Sequence, residues 1–96
     1  MDLKVISVKA LEKYKIHAVF NDGTEGAYDL SHLANKGVFK VWEQPGYFNK
    51  MFINENNAIA WDETLEIDTL NCYLHIRNIS FEEYKAMNED QEHAIS

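Results

Sequence analysis

The strongest constraint on this chain is a pair of alternating runs joined by a turn. Tyr14, Ile16, Ala18 and Phe20 alternate with Lys15, His17 and Val19, a period of two that puts the first four on one face of a strand. Asn21-Asp22-Gly23-Thr24 interrupts the run, after which Gly26, Tyr28 and Leu30 alternate with Glu25, Ala27 and Asp29. Asp-Gly between two such runs predicts a hairpin with a type I′ turn, whose two central residues both need positive φ. Residues 3–10 give a mixed signal. Leu3 and Val5 favour one face, Ile6 and Val8 the other, as in a strand that is bulged or buried on both sides. The first thirty residues therefore predict a three-stranded antiparallel meander.

Beyond it the pieces shorten. Asp29 or Ser31 can cap a helical turn through His32 and Leu33 that ends at Gly37, a residue suited to a left-handed stop. Val38, Phe39, Val41 and Trp42 cluster before Glu43-Gln44-Pro45-Gly46, a turn by composition. Residues 51–54 and 58–61 read as two short strands around Glu55-Asn56-Asn57, and 65–67 as a third. Asp68 then caps a helix with the apolar stripe Leu70, Tyr73, Leu74 and the stem of Arg77. A second helix starts at Ser80, which forms a capping box with Glu83, while Ile79 and Tyr84 occupy the staple positions. Phe81, Tyr84 and Met87 give that helix a narrow apolar face.

The expected fold class is α+β: a small antiparallel sheet, made of the N-terminal meander plus short strands, packed with two to three short helices. With 96 residues, 46% of them apolar and only one proline, the chain hides roughly 65% of its surface on folding, enough for one core. Residues 1–88 are read as a single domain and 89–96 as an acidic, frayed tail. No apolar run nears the roughly 20 residues that span a bilayer, and the charged, alternating N-terminus does not read as a signal peptide. A lone cysteine leaves no internal disulfide and no four-cysteine zinc site, which suits a cytoplasmic location.

The net charge of −7 is unevenly placed. Residues 1–60 hold seven acids and seven lysines, whereas residues 61–96 hold nine acids against Arg77 and Lys85. An acidic segment repels phosphate backbones, which disfavours nucleic acid as a partner. Lys4, Lys9, Lys13 and Lys15 could still form a basic edge on the N-terminal sheet, although lysine also protects sheet edges against aggregation.

The residues that could carry chemistry are few. Asp68, Cys72 and His75 share one face of the predicted helix and would offer oxygen, sulfur and nitrogen to zinc. The competing reading is a capping acid, a half-buried thiol and a surface imidazole. Cys72 could be activated by His75, but a pair three apart on a helix arises often by chance, and Glu66 and Asp68 make its setting acidic, where a thiolate is disfavoured. Asp62/Glu63 and Glu82/Glu83 are adjacent acids that point apart, unlike the converging pair that acid–base catalysis requires. The glycines are scattered, so no phosphate-binding loop is formed. Trp42 and Tyr47 flank the Gln44-Pro45-Gly46 turn and are expected to be exposed protein contacts, since Trp and Tyr combine large area with a polar handle.

Phe20-x-Asp22-Gly23, Gly26, Tyr28-Asp29-Leu30, Gly37-x-Phe39, Phe48, Ile53, Trp61, Ile67-Asp68 and Leu70 stand in an order that resembles the small bacterial domain of unknown function numbered 2442, over about residues 3–76. Two features depart from that pattern: Asp62-Glu63-Thr64 contains no glycine, and no proline precedes the last helix. The resemblance implies a small α+β domain and supplies no catalytic residue. Its members are encoded beside other small proteins, which implies pairing or a toxin–antitoxin-like arrangement.

The expectation is therefore a noncatalytic protein-interaction module that binds another protein or itself, needs no metal or cofactor and is not an enzyme. The alternatives are a nucleic-acid-associated regulator that uses the lysine edge, and an enzyme with a cryptic site.

Overall fold

The computed structural model describes residues 2–12, 14–34 and 36–87. Lys13 and the expected tail at 89–96 lie outside them. The fold is α+β. Strands β1 (Val5–Ala10), β2 (Lys15–Phe20) and β3 (Glu25–Asp29) form the predicted antiparallel meander in the order β1-β2-β3. A second, smaller antiparallel sheet contains β4 (Phe52–Ile53), β5 (Ile59–Ala60) and β6 (Glu66–Ile67). Helix α1 spans Thr69–Arg77, and α2 covers 81–87. No helix among the described residues is long and apolar enough to cross a membrane.

The mixed pattern of β1 is resolved by a bulge. Val5 pairs with Phe20 but Ser7 pairs with Val19, so Ile6 is the extra residue. A bulge shifts the alternation by one position. Val5 therefore points into the core before it, and Val8 and Ala10 point inward after it, while Ile6 is left 59% exposed. From β2 and β3, Ile16, Ala18, Phe20, Tyr28 and Leu30 complete this side of the core.

The β2–β3 turn differs from the type I′ expectation. Gly23 N–H donates to Phe20 O (3.1 Å), Phe20 N–H donates to Thr24 O (2.8 Å), and Gly23 takes a left-handed φ of 89°. This is a three-residue loop ending in a glycine bulge. Asp22 instead accepts from Thr24 N–H (2.9 Å), which stiffens the loop. The β4–β5 loop repeats the design. Asn57 N–H donates to Asn54 O, Asn54 N–H donates to Ala58 O, and Asn57 (φ 57°) fills the left-handed position that Gly23 fills above.

Asn57 also joins the two sheets. Its Oδ1 accepts from Val5 N–H (2.9 Å) and its Nδ2 donates to Val5 O (2.9 Å). Val5 sits in a pair whose backbone groups point away from β2, so the Asn57 amide satisfies them as a neighbouring strand would. The Asn57 carbonyl accepts from Thr69 Oγ1, tying the start of α1 to the same point.

The segment after β3 departs from its prediction. Asp29 Oδ1 accepts from Ser31 N–H (2.8 Å) as a capping acid would, but the chain makes successive turns over 31–34. Gly37, with φ 49°, opens a 3-10 helix over Gly37–Glu43 and does not close an earlier one. A 3-10 helix stacks residues three apart, which sets Phe39 and Trp42 together with ring centroids 4.9 Å apart.

Helix α1 starts as predicted, with Asp68 Oδ2 accepting from Asn71 N–H (2.9 Å). Of the expected stripe, Tyr73 is buried and Leu70 and Leu74 are half-buried, but the centre of the buried face is shifted toward Cys72. Cys72 and Tyr73 are fully buried, flanked by half-buried Thr69 and Ile76. The helix approaches β3 closely on this side, since a Cβ on Gly26 would lie 2.9 Å from Ile76 Cγ2. The helix ends at Asn78 in the left-handed region (φ 56°). The Ser80/Glu83 capping box forms reciprocally, at 3.3 and 3.1 Å. The expected apolar face of α2 is not buried. Only Tyr84 packs inward, edge-to-face on Tyr73 (5.7 Å), while Phe81 and Met87 stay exposed.

Gly26 is thus required by proximity. Gly26→Ala should lower stability by about 1–3 kcal/mol through overpacking against a branched side chain. In a double-mutant cycle read by chemical denaturation, Ile76→Ala should remove most of that increment.

Candidate interaction surface

Among the described residues, the N-terminal sheet is covered on one side only. Alternation sends Val5, Val8, Ala10, Ile16, Ala18, Phe20, Gly26 and Tyr28 toward α1 and the second sheet, while Ser7, Lys9, Lys15, His17, Val19, Glu25, Ala27 and Asp29 form the opposite face. That face is open, and most of its side chains are exposed. Lys9 lies opposite His17, and Lys15 opposite Asp29. His17 Nε2 sits 3.5 Å from Glu25 Oε1. Lys9 and Lys15 therefore share the surface with two carboxylates and do not form a uniformly basic edge. Lys4 is exposed, and its backbone N–H donates to Asn21 Oδ1 (3.0 Å).

Trp42 is not the exposed contact the sequence suggested, because the residue is only 3% exposed. The Pro45-Gly46 turn brings Phe48 back onto Trp42, edge-to-face at 5.0 Å, and Trp61 meets Trp42 at 4.8 Å. Tyr14 stacks on the other side at 5.9 Å. Trp61 Nε1 donates to Phe48 O (2.9 Å), whereas the Trp42 indole N–H has no acceptor among the described residues. Tyr47 is half-buried and donates its hydroxyl hydrogen to Asp62 Oδ2, with Lys50 Nζ 5.1 Å from its ring centroid.

Asp62 organises the β5–β6 loop. Its Oδ1 accepts from Thr64 N–H (2.8 Å), Thr64 Oγ1 (3.0 Å) and Leu65 N–H (2.8 Å). Tyr47 above all, then the Thr64 amide, stabilise the charged form and hold the carboxyl down at about 2. Its neighbour Glu63 is exposed. An acidic cleft of about 630 Å³ borders this loop, lined by Phe52, Glu55, Asp62, Glu63 and Glu66 among others. The sequence did not anticipate that Asp22, at the first hairpin, is clamped in a similar way. Tyr73 donates to Asp22 Oδ2 (2.5 Å), and Arg77 Nη1 donates to the Tyr73 hydroxyl (2.9 Å). Burial pushes the Asp22 carboxyl up, but these bonds and the Thr24 amide outweigh it and hold the group below its ordinary value.

The reactive-looking helix face does not assemble. Asp68 is engaged as a cap, His75 stacks on Tyr28 (4.9 Å, 23° between planes), and Cys72 is fully buried. Burial pushes the Cys72 thiol up to about 12, away from thiolate chemistry at neutral pH. Among the described residues, no group of three His, Cys, Asp or Glu side chains is placed to hold a metal ion.

Two measurements follow from this geometry. Cys72 should resist a thiol reagent in the folded protein and react only at the rate of global unfolding. A depressed carboxylate contributes stability that is present above its ordinary pKa of 3.8 and lost as pH falls through about 2. Tyr47→Phe should raise the Asp62 midpoint, read by carboxyl-carbon NMR, and flatten the stability loss between about pH 4 and about pH 2. An unchanged midpoint would assign the effect to the loop amides alone.

No curated protein and no solved structure gives a significant match to the chain. The meander, the close-packed Gly26, the aromatic cluster around Trp61 and the Asp68-capped helix all fall within residues 5–78, which match the family described as protein of unknown function (DUF2442). The chain belongs to that family.

Proposed function

We propose that this chain is a noncatalytic protein-interaction module that binds another protein or a second copy of itself. The observation that carries the reading is the three-stranded sheet with one covered face, one open face and an open edge at β3. Apolar side chains outside the core, among them Ile6, Val38 and Phe52, add further contact area. The groups that could do chemistry are committed elsewhere: Cys72 to the core, Asp68 to a helix cap and Asp62 to its loop. The acidic excess after residue 60 suits a basic partner. A cytoplasmic place in a paired, toxin–antitoxin-like system of small proteins belongs to the same proposal.

Association with nucleic acid is the second reading, favoured by exposed Lys4, Lys9 and Lys15 and opposed by Glu25 and Asp29 on the same face. Tagged full-length chain, captured from the source cell and weighed by light scattering, separates the two. A stoichiometric protein partner or a dimer mass is the expected result. A strictly monomeric species with no such partner would overturn the proposal. A salt-dependent shift of DNA or RNA that is lost in Lys9→Glu would establish the second reading in its place.

A further inference from the structure

Among the described residues no strand pairs with the outer edge of β3, and that edge has a direction, a charge pattern and a cleft. Phe20 N–H donates to Thr24 O, and Leu30 N–H donates to Tyr14 O (2.6 Å). These bonds make 14/30, 16/28, 18/26 and 20/24 the hydrogen-bonded pairs of the β2–β3 ladder. The backbone N–H and C=O groups of Glu25, Ala27 and Asp29 therefore point away from β2, along the free edge. All three residues are exposed. The strand contains no lysine and no proline, the residues that usually blunt such an edge. The opposite edge of the sheet is different, because at β1 the Asn57 amide occupies the Val5 backbone groups and β4 lies alongside.

Charge selects the occupant. If two copies of β3 paired antiparallel about Ala27, Glu25 would face Asp29 of the second copy at both ends, and directly opposed like charges are destabilising. A strand with Lys or Arg at those two positions reverses the sign. Beside the edge lies a cleft of about 400 Å³ lined by Ala27, Tyr28, Asp29, Ser31, His32 and His75. Residues of an added strand that lie opposite Tyr28 project to the helix side, where the stacked Tyr28 and His75 rings offer an aromatic wall. We infer that β3 accepts an extended, basic polypeptide segment of a partner protein as a fourth, antiparallel strand, with cationic side chains opposite Glu25 and Asp29 and the intervening side chain in the cleft. Such strand addition takes affinity from main-chain bonds and specificity from alternate side chains. This inference rests on the interaction-module reading and names the partner chemistry for it.

The test uses the full chain and a peptide of about nine residues that alternates arginine with valine, a typical strand length or slightly more. Amide exchange and NMR shifts report on the edge. Binding should slow exchange of the Ala27 and Asp29 amides about tenfold or more, since these amides gain acceptors. Ala27→Pro removes an amide that the native ladder does not use, a substitution edge strands tolerate, and it should abolish the protection. Glu25→Lys keeps every backbone group and should weaken binding about tenfold, by exchanging attraction for repulsion across the pair. A glutamate-for-arginine control peptide should not bind.

No binding at millimolar peptide would overturn the inference. So would binding that Ala27→Pro leaves intact, or shifts confined to the open face or to the Phe52/Glu66 cleft. A native partner captured equally well by wild type and Ala27→Pro would sink the edge assignment while leaving the interaction module standing. Absence of any partner or self-association would remove the module itself.

Discussion

One side chain holds the architecture together. Asn57 sits in a left-handed turn, replaces a missing strand at Val5 through both ends of its amide, and offers its carbonyl to Thr69 at the start of α1. Three elements far apart in sequence thus meet on one residue. The β1 bulge gives this contact its purpose. By shifting the alternation at Ile6 it leaves Val5 with outward-pointing backbone groups at a nearly buried position, where unpaired groups would be costly. An amide provides one donor and one acceptor at the needed separation, which neither aspartate nor serine could do.

Around that joint the core divides into two sets of rings. Tyr14, Phe39, Trp42, Phe48 and Trp61 pack the 3-10 segment against the second sheet, while Phe20, Tyr73 and Tyr84 pack the meander against the helices. Short strands of two residues cannot hold a sheet by hydrogen bonds alone. The rings supply the missing burial, and edge-to-face contacts add about 0.5–1.5 kcal/mol each beyond area. The Trp42 indole N–H has no acceptor among the described residues, and a buried donor left unpaired costs about 1–3 kcal/mol.

Much of the fold was legible because it rests on local rules. Period-two alternation located β2 and β3, Asp68 and Ser80 announced their helices, and the family pattern fixed the order of the pieces. What escaped rests on nonlocal contacts. Asn57 looks like any loop asparagine until Val5 is placed beside it. The stripe of α1 located buried Tyr73 but not Cys72, nor the close contact of Ile76 with Gly26. The polar turn beside Trp42 suggests solvent, while the three-residue period of the 3-10 helix that carries it turns the residue inward. The open edge of β3 was equally hidden, since alternation identifies faces but not which strand ends a sheet.

The two tryptophans carry a final consequence. Their rings lie 4.8 Å apart, inclined by 49°, one from the 3-10 segment and the other from the end of β5. Indoles this close and this skewed share their excited states, so the folded chain should display an exciton couplet in circular dichroism. That optical signature needs both segments docked and no label, and it disappears when they separate even if the meander persists.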